Sequence, residues 1–583
     1  MYQDIYFVPK RTGTYSDVLV AYGLAALLDH IFRQVKGPAG RWQIVLEDGG
    51  GHYLVRLSEP LQEVWLTGLA DMANPAPLVV RGSQGVAQDG PVRNVDATWS
   101  QVKAYGEQRR ALWDQNVRGD DLEQRLRDLE PPADWATVVF LGDFRMQAAD
   151  IYNRIASQWA GCRPHPAEHL SSLLALFARP EGEDQQALAD WTKLAKRDGL
   201  KPVETASQLL NPHQGKGLNE PKANALRMDN IKDRPWPEEF LKTIGLWHCL
   251  APRQTTDTND WKAYVVAPLR LSWQAQQEAF GRFNRYLWRE RGHQTSLKTD
   301  ITSVLLFSRA WLDYVEAAWK DEDDFDVPPA PEQVVAGFHV AQFKLLSRNA
   351  YTMVNLSFLS LPAWSGELRT RADVVAVQGI MDEHLDVVRG VDEGHSDGFD
   401  LLRRYRDFVS SGNWDAFFDF MAGYSHEILR RLNEGQRYVP TFTTPKLRRL
   451  IMTNRKDLTP IVENAGFQNV AYAIRHATII PQRRKANKQD NLYEVRYGLG
   501  AELKRKGTVR DEFVAALTDF IQSYNQENVQ KLESKGQQLR KDVRTDDIAE
   551  VVRLIDIYGS EVVANLLIAY GYAGEPREEQ PNA

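Results

Sequence analysis

The sequence predicts an α+β protein, in which a mixed α/β N-terminal region with short sheets and hairpins is followed by an all-α helical-bundle C-terminal domain. Three observations predict this fold class. Residues 1–60 alternate between strand and helix patterns, residues 338–361 hold two long strand patterns around a turn, and residues 513–570 carry apolar stripes at helical spacing. At 583 residues the chain is too long for one core, so we expect several domains.

The N-terminal segment has a β-α-β-β pattern. Ile5–Val8 predicts a strand, and Ser16 is placed to cap a helix with one apolar face. Gly23 lowers the propensity of that helix unless another backbone packs closely there. A hairpin follows, with strands at Trp42–Leu46 and Tyr53–Leu57. Its glycine-rich turn opens no helix, which excludes a phosphate-binding loop.

The middle of the chain alternates between helices, strands and turn-rich stretches. In chain order we predict a charged helix over 105–130, a strand at Thr137–Leu141, helices at Ala148–Ala160 and Leu170–Phe177, turns over 207–230, a strand at Tyr264–Leu269 and a helix over 274–291. An acidic run at 321–326 followed by prolines predicts a stiff linker. A β-pair at Phe338–Leu346 and Tyr351–Leu361 comes next.

Everything after residue 366 has a helical pattern. Three apolar stripes begin at Phe513, Ile548 and Val562, and Gly559 separates the last two as a turn residue. We therefore divide the chain into an α+β region at 1–320, a linker at 321–333, a β-pair with helices at 334–440, and a basic helical bundle at 441–583.

Composition narrows the class of protein. Cys162 and Cys249 lie far apart without a CxxC partner, which gives neither a disulfide framework nor a cysteine-rich zinc module. The N-terminus lacks the basic segment of a signal peptide, and no apolar run reaches the length of a membrane span. We expect a cytoplasmic protein without membrane contact.

No catalytic motif is recognisable in the sequence. The patterns of phosphate-binding loops, dinucleotide folds, serine hydrolases and zinc proteases are all absent. The densest cluster of metal-ligating residue types lies between Asp382 and Asp397 and includes His384 and His395. Its spacing fits no calcium loop, and Gly390 and Gly394 favour a solvated acidic turn. A metal nuclease that uses this cluster remains an alternative, but we expect no catalytic residue, metal or cofactor.

Charge is distributed unevenly along the chain. Residues 446–510 hold fifteen Lys and Arg against five Asp and Glu, although the whole chain has a net charge of -7. Such asymmetry indicates a polyanionic partner for the basic segment. Candidate phosphate contacts are Arg448, Arg449, Arg455, Lys456, Arg475, Arg483, Arg484, Lys485, Lys488, Arg496, Lys504, Arg505 and Lys506, together with Arg282, Arg285 and Arg289 on the 274–291 helix.

Tyrosines at 472, 493 and 497 lie between these cations. They can stack on exposed bases or belong to the core, and the pattern favours the core slightly. The loop at 211–222 differs from the basic segment, because its glycines allow close backbone approach while Lys216 projects and Gln214 and Asn219 can contact base edges.

Four stretches resemble the large subunit of type I CRISPR effector complexes (Cascade). They are Asn211–Asn219, Ala263–Pro268, Leu356–Pro362 and Pro440–Asn528. Within the last, Thr441–Thr444, Tyr493–Leu499, Glu502–Lys506 and Tyr524–Asn528 carry most of the similarity. The likeness touches most of the chain in separate islands. The helical domain is also similar to the small subunit of such complexes.

The resemblance implies a non-catalytic part in an antiviral, RNA-guided DNA surveillance complex that forms an R-loop. The implied partners are the CRISPR RNA, target DNA, the backbone, RNA-end-binding and small subunits, and a separate helicase-nuclease. By the same resemblance the flanking-motif candidates are Gln214, Gly215, Lys216, Gly217, Asn219 and Lys222. The alternative is a helical protein-protein scaffold that does not bind nucleic acid directly.

Overall fold

A computed structural model describes residues 2–69, 76–82, 91–180, 185–201, 207–214, 236–290, 296–319, 329–348, 350–489, 493–536 and 540–575. The chain divides into two compact units. Unit 1 comprises 1–294 and 331–361, and unit 2 comprises 295–330 and 362–583. The α+β fold class is confirmed, since unit 1 contains every strand among the described residues and unit 2 is helical. The predicted boundaries at 320, 333 and 440 do not coincide with this division.

Unit 1 contains two four-stranded antiparallel sheets and one short parallel pair. Their strands are β1 (Ile5–Pro9), β2 (Ile44–Asp48), β3 (His52–Leu57), β4 (Leu78–Val80), β5 (Val92–Asn94), β6 (Leu250–Gln254), β7 (Trp261–Pro268), β8 (Arg270–Ser272), β9 (Val335–Ser347) and β10 (Ala350–Ser360). The sheet orders are β1-β3-β2-β8 and β10-β9-β7-β6, and β4 pairs with β5. The predicted hairpin is confirmed in β2 and β3, as is the β-pair in β9 and β10.

Unit 1 also contains eleven α-helices in its described residues. They are α1 (Tyr15–Lys36), α2 (Glu63–Thr67), α3 (Val95–Asp114), α4 (Gly119–Leu126), α5 (Trp135–Gly142), α6 (Ala149–Gln158), α7 (Pro166–Ala175), α8 (Gln185–Arg197), α9 (Glu238–Cys249), α10 (Trp273–Arg289) and α12 (Pro331–Val334). Thr14, and not the predicted Ser16, caps α1, because its side chain accepts the Ser16 backbone N–H. Unit 2 supplies the intervening helix α11 (Ser296–Ala318).

The long helix α1 lies at the centre of unit 1. It is long and apolar enough to span a membrane by composition, but 78% of its most apolar 18-residue window is buried inside the protein, as in a core helix. Gly23 faces α9, where an added Cβ would lie 1.9 Å from the carbonyl oxygen of Leu241. Gly245 of α9 approaches the carbonyl of Leu19 just as closely. The two glycines therefore allow a helix crossing at backbone contact.

Two predictions for unit 1 are wrong. Thr137–Leu141 is not a strand but part of helix α5, which packs against β6, and a short apolar run does not distinguish these structures by periodicity. The helix predicted over 105–130 is divided into α3 and α4, because Asn116 adopts a left-handed conformation with φ 64°. The acidic run at 321–326 lies outside the described residues, and the end of the predicted linker at Pro331 begins α12.

Unit 2 is an all-helical assembly. With α11 it contains α13 (Arg371–Gly390), α14 (Ser396–Ser411), α15 (Trp414–Asn433), α16 (Thr444–Asn454), α17 (Thr459–Val462), α18 (Ala465–Ala477), α19 (Ile479–Ala486), α20 (Leu499–Lys506), α21 (Arg510–Lys535), α22 (Thr545–Tyr558) and α23 (Ser560–Gly571). The predicted stripes on the last three helices face the core, with Phe513, Val551 and Val563 fully buried. Gly559 ends α22 with φ 89°, as expected of a turn glycine.

Candidate nucleic-acid interface

A group of exposed cations lies at the C-terminal end of α19. Residues 479–486 form this helix, and its last turn carries three successive cations. Positive charge in the last turn complements the negative end of the helix dipole. Arg484, Lys485 and Lys488 are exposed, and we call these three residues the basic patch. In the described part of the chain, no carboxylate lies within ion-pair distance of any of them.

An exposed tyrosine borders the basic patch. The Tyr497 hydroxyl donates to the Gln482 side chain at 2.8 Å, and the Lys485 ammonium donates to the same hydroxyl at 3.3 Å. The ring of Tyr497 remains 45% exposed. Base stacking on such a ring, together with neighbouring cations, is the usual composition of a single-strand binding surface.

The other two tyrosines of the segment are half-buried. Tyr472 stacks on His476 with ring centroids 3.9 Å apart, and Tyr493 lies 3.7 Å from the guanidinium of Arg540. Their rings are thus engaged by groups of the protein but are not part of its core, whereas Tyr497 is exposed.

Five candidate phosphate contacts of the basic segment are held in ion pairs at the protein surface. These pairs are Arg448–Glu463 at 3.2 Å, Arg449–Asp373 at 2.6 Å, Arg455–Asp457 at 2.7 Å, Lys504–Asp419 at 2.9 Å and Lys506–Glu512 at 2.6 Å. Exposed pairs of this kind contribute about 0–1 kcal/mol each, so a phosphate can displace the carboxylate. Their local charge is nevertheless neutralised, and they are weaker candidates than the basic patch.

Arg475 is the clearest misassignment among the candidates. It is buried, and its guanidinium bonds the Thr444 hydroxyl, the Tyr570 carbonyl and the Glu575 carboxylate. Burial lowers the pKa of Arg475 from its ordinary value, with the nearby Glu575 acting in the opposite direction. A cation enclosed in this way joins α18 to the end of α23 and is not available to a phosphate.

The remaining cations of the segment differ in their surroundings. Arg496 donates to the Ser523 hydroxyl at 2.9 Å, and Arg483 donates to the Thr441 hydroxyl at 3.0 Å. Lys456 and Arg505 are exposed, and within the described ranges neither has a carboxylate at ion-pair distance. Position in the sequence did not separate these classes, because most of the partners are remote in the chain.

The arginines of α10 form a second, neutralised group. Arg289 pairs with Glu130 at 2.7 Å and with Glu123 at 3.6 Å, and Arg285 approaches Glu130 at 3.9 Å. Arg282 lies on the same helix. These contacts tie α10 to the segment around α4, so we rank this group below the basic patch as a phosphate-binding surface.

The loop suggested as the flanking-motif contact lies mostly outside the described residues. Gln214 ends a short 3-10 helix at Pro212–Gln214, and Gly215, Lys216, Gly217, Asn219 and Lys222 are not described. The preceding Asn211 is buried and anchored. It donates to Glu239, and Lys242 donates back to the Asn211 side-chain oxygen at 2.8 Å.

The cluster at 382–397 is not a single solvated turn. Residues 382–390 belong to helix α13, and only 391–395 form a turn. His384 is buried, and burial together with the nearby charge of Lys446 lowers its pKa to about 3. His395 lies in the turn with its side chain 75% exposed. Within the described ranges, no group of three His, Cys, Asp or Glu is arranged to hold a metal ion.

A cleft of about 430 Å³ opens beside the basic patch in unit 2. Its wall includes Arg483 and Asn487 of the α19 segment, the loop residues Arg437 and Tyr438, and Lys446 of α16. The sequence reasoning did not identify Arg437 or Tyr438. Both belong to a polar stretch, Glu434–Tyr438, that lies between two helical patterns in the sequence. Because functional residues concentrate on loops of this kind, that stretch could have indicated them.

Comparison with known proteins adds no relative. No protein-family model matches the chain, and a search of curated proteins finds no match.

Proposed function

We propose that this chain is a non-catalytic, nucleic-acid-binding subunit of a CRISPR RNA-guided DNA surveillance complex, corresponding to the large subunit of a type I effector. Unit 2 binds unwound nucleic acid through the basic patch, and the loop that begins at Gln214 reads the flanking motif. The partners are the CRISPR RNA, target DNA, the other effector subunits and a separate helicase-nuclease. The site of action is the cytoplasm.

The basic patch supports this proposal most directly. It concentrates three exposed cations and one exposed tyrosine at the end of a single helix, without a carboxylate at ion-pair distance among the described residues. The chain as a whole is negatively charged, so general electrostatics oppose nucleic-acid binding and a local surface is required. The four stretches of family resemblance supply the RNA-guided context.

The test is the salt dependence of binding. Fluorescence anisotropy of the full chain with a labelled single strand, over 50 to 200 mM salt, gives a slope that counts phosphate contacts at about 0.7 per contact. The variant Arg484→Ala/Lys485→Ala/Lys488→Ala should lower that slope by about two.

The matched control is Lys193→Ala/Lys531→Ala/Arg553→Ala, which removes the same charge from three other surface positions and should leave the slope unchanged. Equal slopes for the two triple variants would place the interface elsewhere. Absence of binding by the wild-type chain at the lowest salt would favour the protein scaffold.

A further inference from the structure

The cleft beside the basic patch contains a specific combination of groups. Its inner wall is formed by Glu383 of α13, which accepts the backbone N–H of Thr443 at 2.6 Å and the Thr443 hydroxyl at 2.8 Å. Arg437 and Tyr438 lie on its exposed rim. The volume of about 430 Å³ falls within the range of about 300–1,000 Å³ that is typical of small-molecule sites.

The acids that line the cleft are already neutralised. Asp382 pairs with Arg309 at 2.9 Å, and Asp386 pairs with Arg389 at 3.0 Å. Glu575 pairs with Arg475 at 3.3 Å, and Lys446 lies 3.4 Å from Glu383. Among the described residues, no three of these acids are grouped to hold a metal ion.

Every acid of the cleft has a cation beside it, and Arg437 adds positive charge to these pairs. The lining has four acids, Asp382, Glu383, Asp386 and Glu575, and three cations, Arg437, Lys446 and Arg483. Lys446 pairs with Glu383, and arginines outside the lining pair with the other three acids. Arg437 is exposed, and no carboxylate of the described residues lies within ion-pair distance of it. An anionic group therefore fits the cleft better than a metal ion.

An aromatic ring stands at the mouth of the cleft. Tyr438 is 59% exposed, and its neighbour in sequence is Arg437. Stacking of a base on such a ring is worth about 1–3 kcal/mol and does not depend on base identity. The Asn487 amide and the Thr441 hydroxyl also line the space and can bond the edge of a base or a sugar.

We propose that this cleft receives one unstacked nucleotide of a single strand, with its base on Tyr438 and its phosphate between Arg437 and Arg483. This inference rests on the proposed function and adds a specific point of contact to it. Arg483 and Asn487 line the cleft, and their sequence neighbours Arg484 and Lys488 belong to the basic patch, so the patch and the cleft share one short segment of the chain. A duplex cannot present an isolated base and should bind more weakly.

Photo-crosslinking tests the position of the base. A set of single strands of about fifteen nucleotides, each with 5-iododeoxyuridine at one position, is irradiated with the full chain, and crosslinked peptides are identified by mass spectrometry. We expect a crosslink at Tyr438 that is retained in Tyr438→Phe and absent with the matching duplex.

Affinity measurements give an independent readout. Tyr438→Ala should weaken single-strand binding by about fivefold or more without changing the salt slope, since it removes a stacking ring but no charge. Arg437→Ala should lower the slope by about 0.7. Tyr558→Ala removes a partly exposed tyrosine of α22 and serves as the matched control.

The outcomes separate this inference from the proposed function. If single strands bind with a slope that depends on the basic patch, but Tyr438→Ala binds like wild type and no crosslink forms at Tyr438, the cleft is not a nucleotide site and the proposed function stands. If the wild-type chain binds no nucleic acid at low salt, both proposals are wrong.

Discussion

His384 is a buried histidine enclosed by aromatic rings. The rings of Trp364 and Phe442 lie 4.7 Å from it, and its Nδ1 is 2.5 Å from the Tyr405 hydroxyl. A charged imidazole here would be buried among aromatic rings and would be repelled by the nearby Lys446. Burial therefore lowers its pKa to about 3, against about 6.5 in an unfolded chain.

This shift predicts a loss of stability in mild acid. Between pH 6.5 and pH 3 the unfolded state binds the proton and the folded state does not, so the contribution is fully present above pH 6.5 and decreases as the pH falls. By pH 4.5 the loss should reach about 2–3 kcal/mol. His384→Gln keeps a polar partner for Tyr405 and should show a weaker pH dependence of thermal unfolding.

His395→Gln is the matched control, because it makes the same substitution at a histidine whose side chain is exposed. Burial also lowers the pKa of His339 and His476 to about 4, but both remain in every variant and cancel in the comparison. Parallel pH profiles for wild type and His384→Gln would show that this histidine does not carry the effect.

Arg540 is an enclosed cation in unit 2. Its guanidinium lies 3.7 Å from the Tyr493 ring and 4.1 Å from the Tyr524 ring, and it pairs with Glu527 at 2.5 Å. Removing it leaves that carboxylate without its cation and opens the space between two rings. Arg540→Ala should lower the free energy of unfolding by about 3–5 kcal/mol, measured by thermal denaturation, whereas the exposed Arg553→Ala should change it by less than about 0.5 kcal/mol.

For single residues, the sequence shows which side chains are charged but not which groups surround them in the fold. Composition grouped Arg475, Arg449 and Arg484 in one basic segment, yet one is buried, one is paired and one is exposed without a carboxylate at ion-pair distance in the described chain. The partner of Arg449 lies 76 residues away. Contacts at that separation depend on tertiary packing, which one sequence does not encode in a local pattern.

At the level of helices and strands, the crossing of α1 and α9 leaves no space for a side chain at its closest point. The sequence anticipated close backbone packing at Gly23 but did not identify α9 as the neighbour, because the helices are separated by more than 200 residues. At Thr137–Leu141 the local pattern did not distinguish a strand from a helix. In the structure this segment is part of a helix that contacts β6. Elements with clear periodicity, such as α21, were predicted correctly.

Alanine substitution at two helix glycines should therefore act in opposite directions. At Gly23 the new Cβ would lie 1.9 Å from a backbone carbonyl, so Gly23→Ala must separate α1 from α9 and should destabilise unit 1 by several kcal/mol. At Gly106 of α3 nothing lies within 4 Å, so Gly106→Ala should stabilise by about 0.5–1 kcal/mol. Thermal melts of the two variants check both signs, and equal effects would contradict the helix crossing.

In the whole molecule, the two units are not consecutive segments of the chain. Unit 2 begins with α11, the chain then leaves to form β9 and β10 of unit 1, and it returns at residue 362. Within unit 2, α11 packs on α13 and α14, and α15 packs on α19, α20 and α23. A boundary at residue 441 would cut through the interfaces of α15 with α19, α20 and α23 and expose the apolar faces of these last helices.

Unit 2 should consequently fold alone only when α11 is included. The start and the end of the β9–β10 segment lie close together, since the backbone N–H of Leu361 donates to the Ala336 carbonyl at 3.2 Å. A Gly-Ser linker of about eight residues, which spans on the order of 25 Å when extended, can therefore replace residues 331–361 between 295–330 and 362–583. We expect this protein to be monomeric on gel filtration and to unfold in one cooperative thermal transition.

The linked unit is compared with a fragment of residues 441–583, which the sequence predicts to be a separate helical bundle. It lacks α11, α13 and α15, and Thr443 loses the carboxylate of Glu383 that caps the segment before α16. Exposure of the surfaces that these helices cover should make the fragment aggregate or unfold without a cooperative transition. A soluble 441–583 fragment with the same melting temperature as the linked unit would instead place the folding boundary at residue 441.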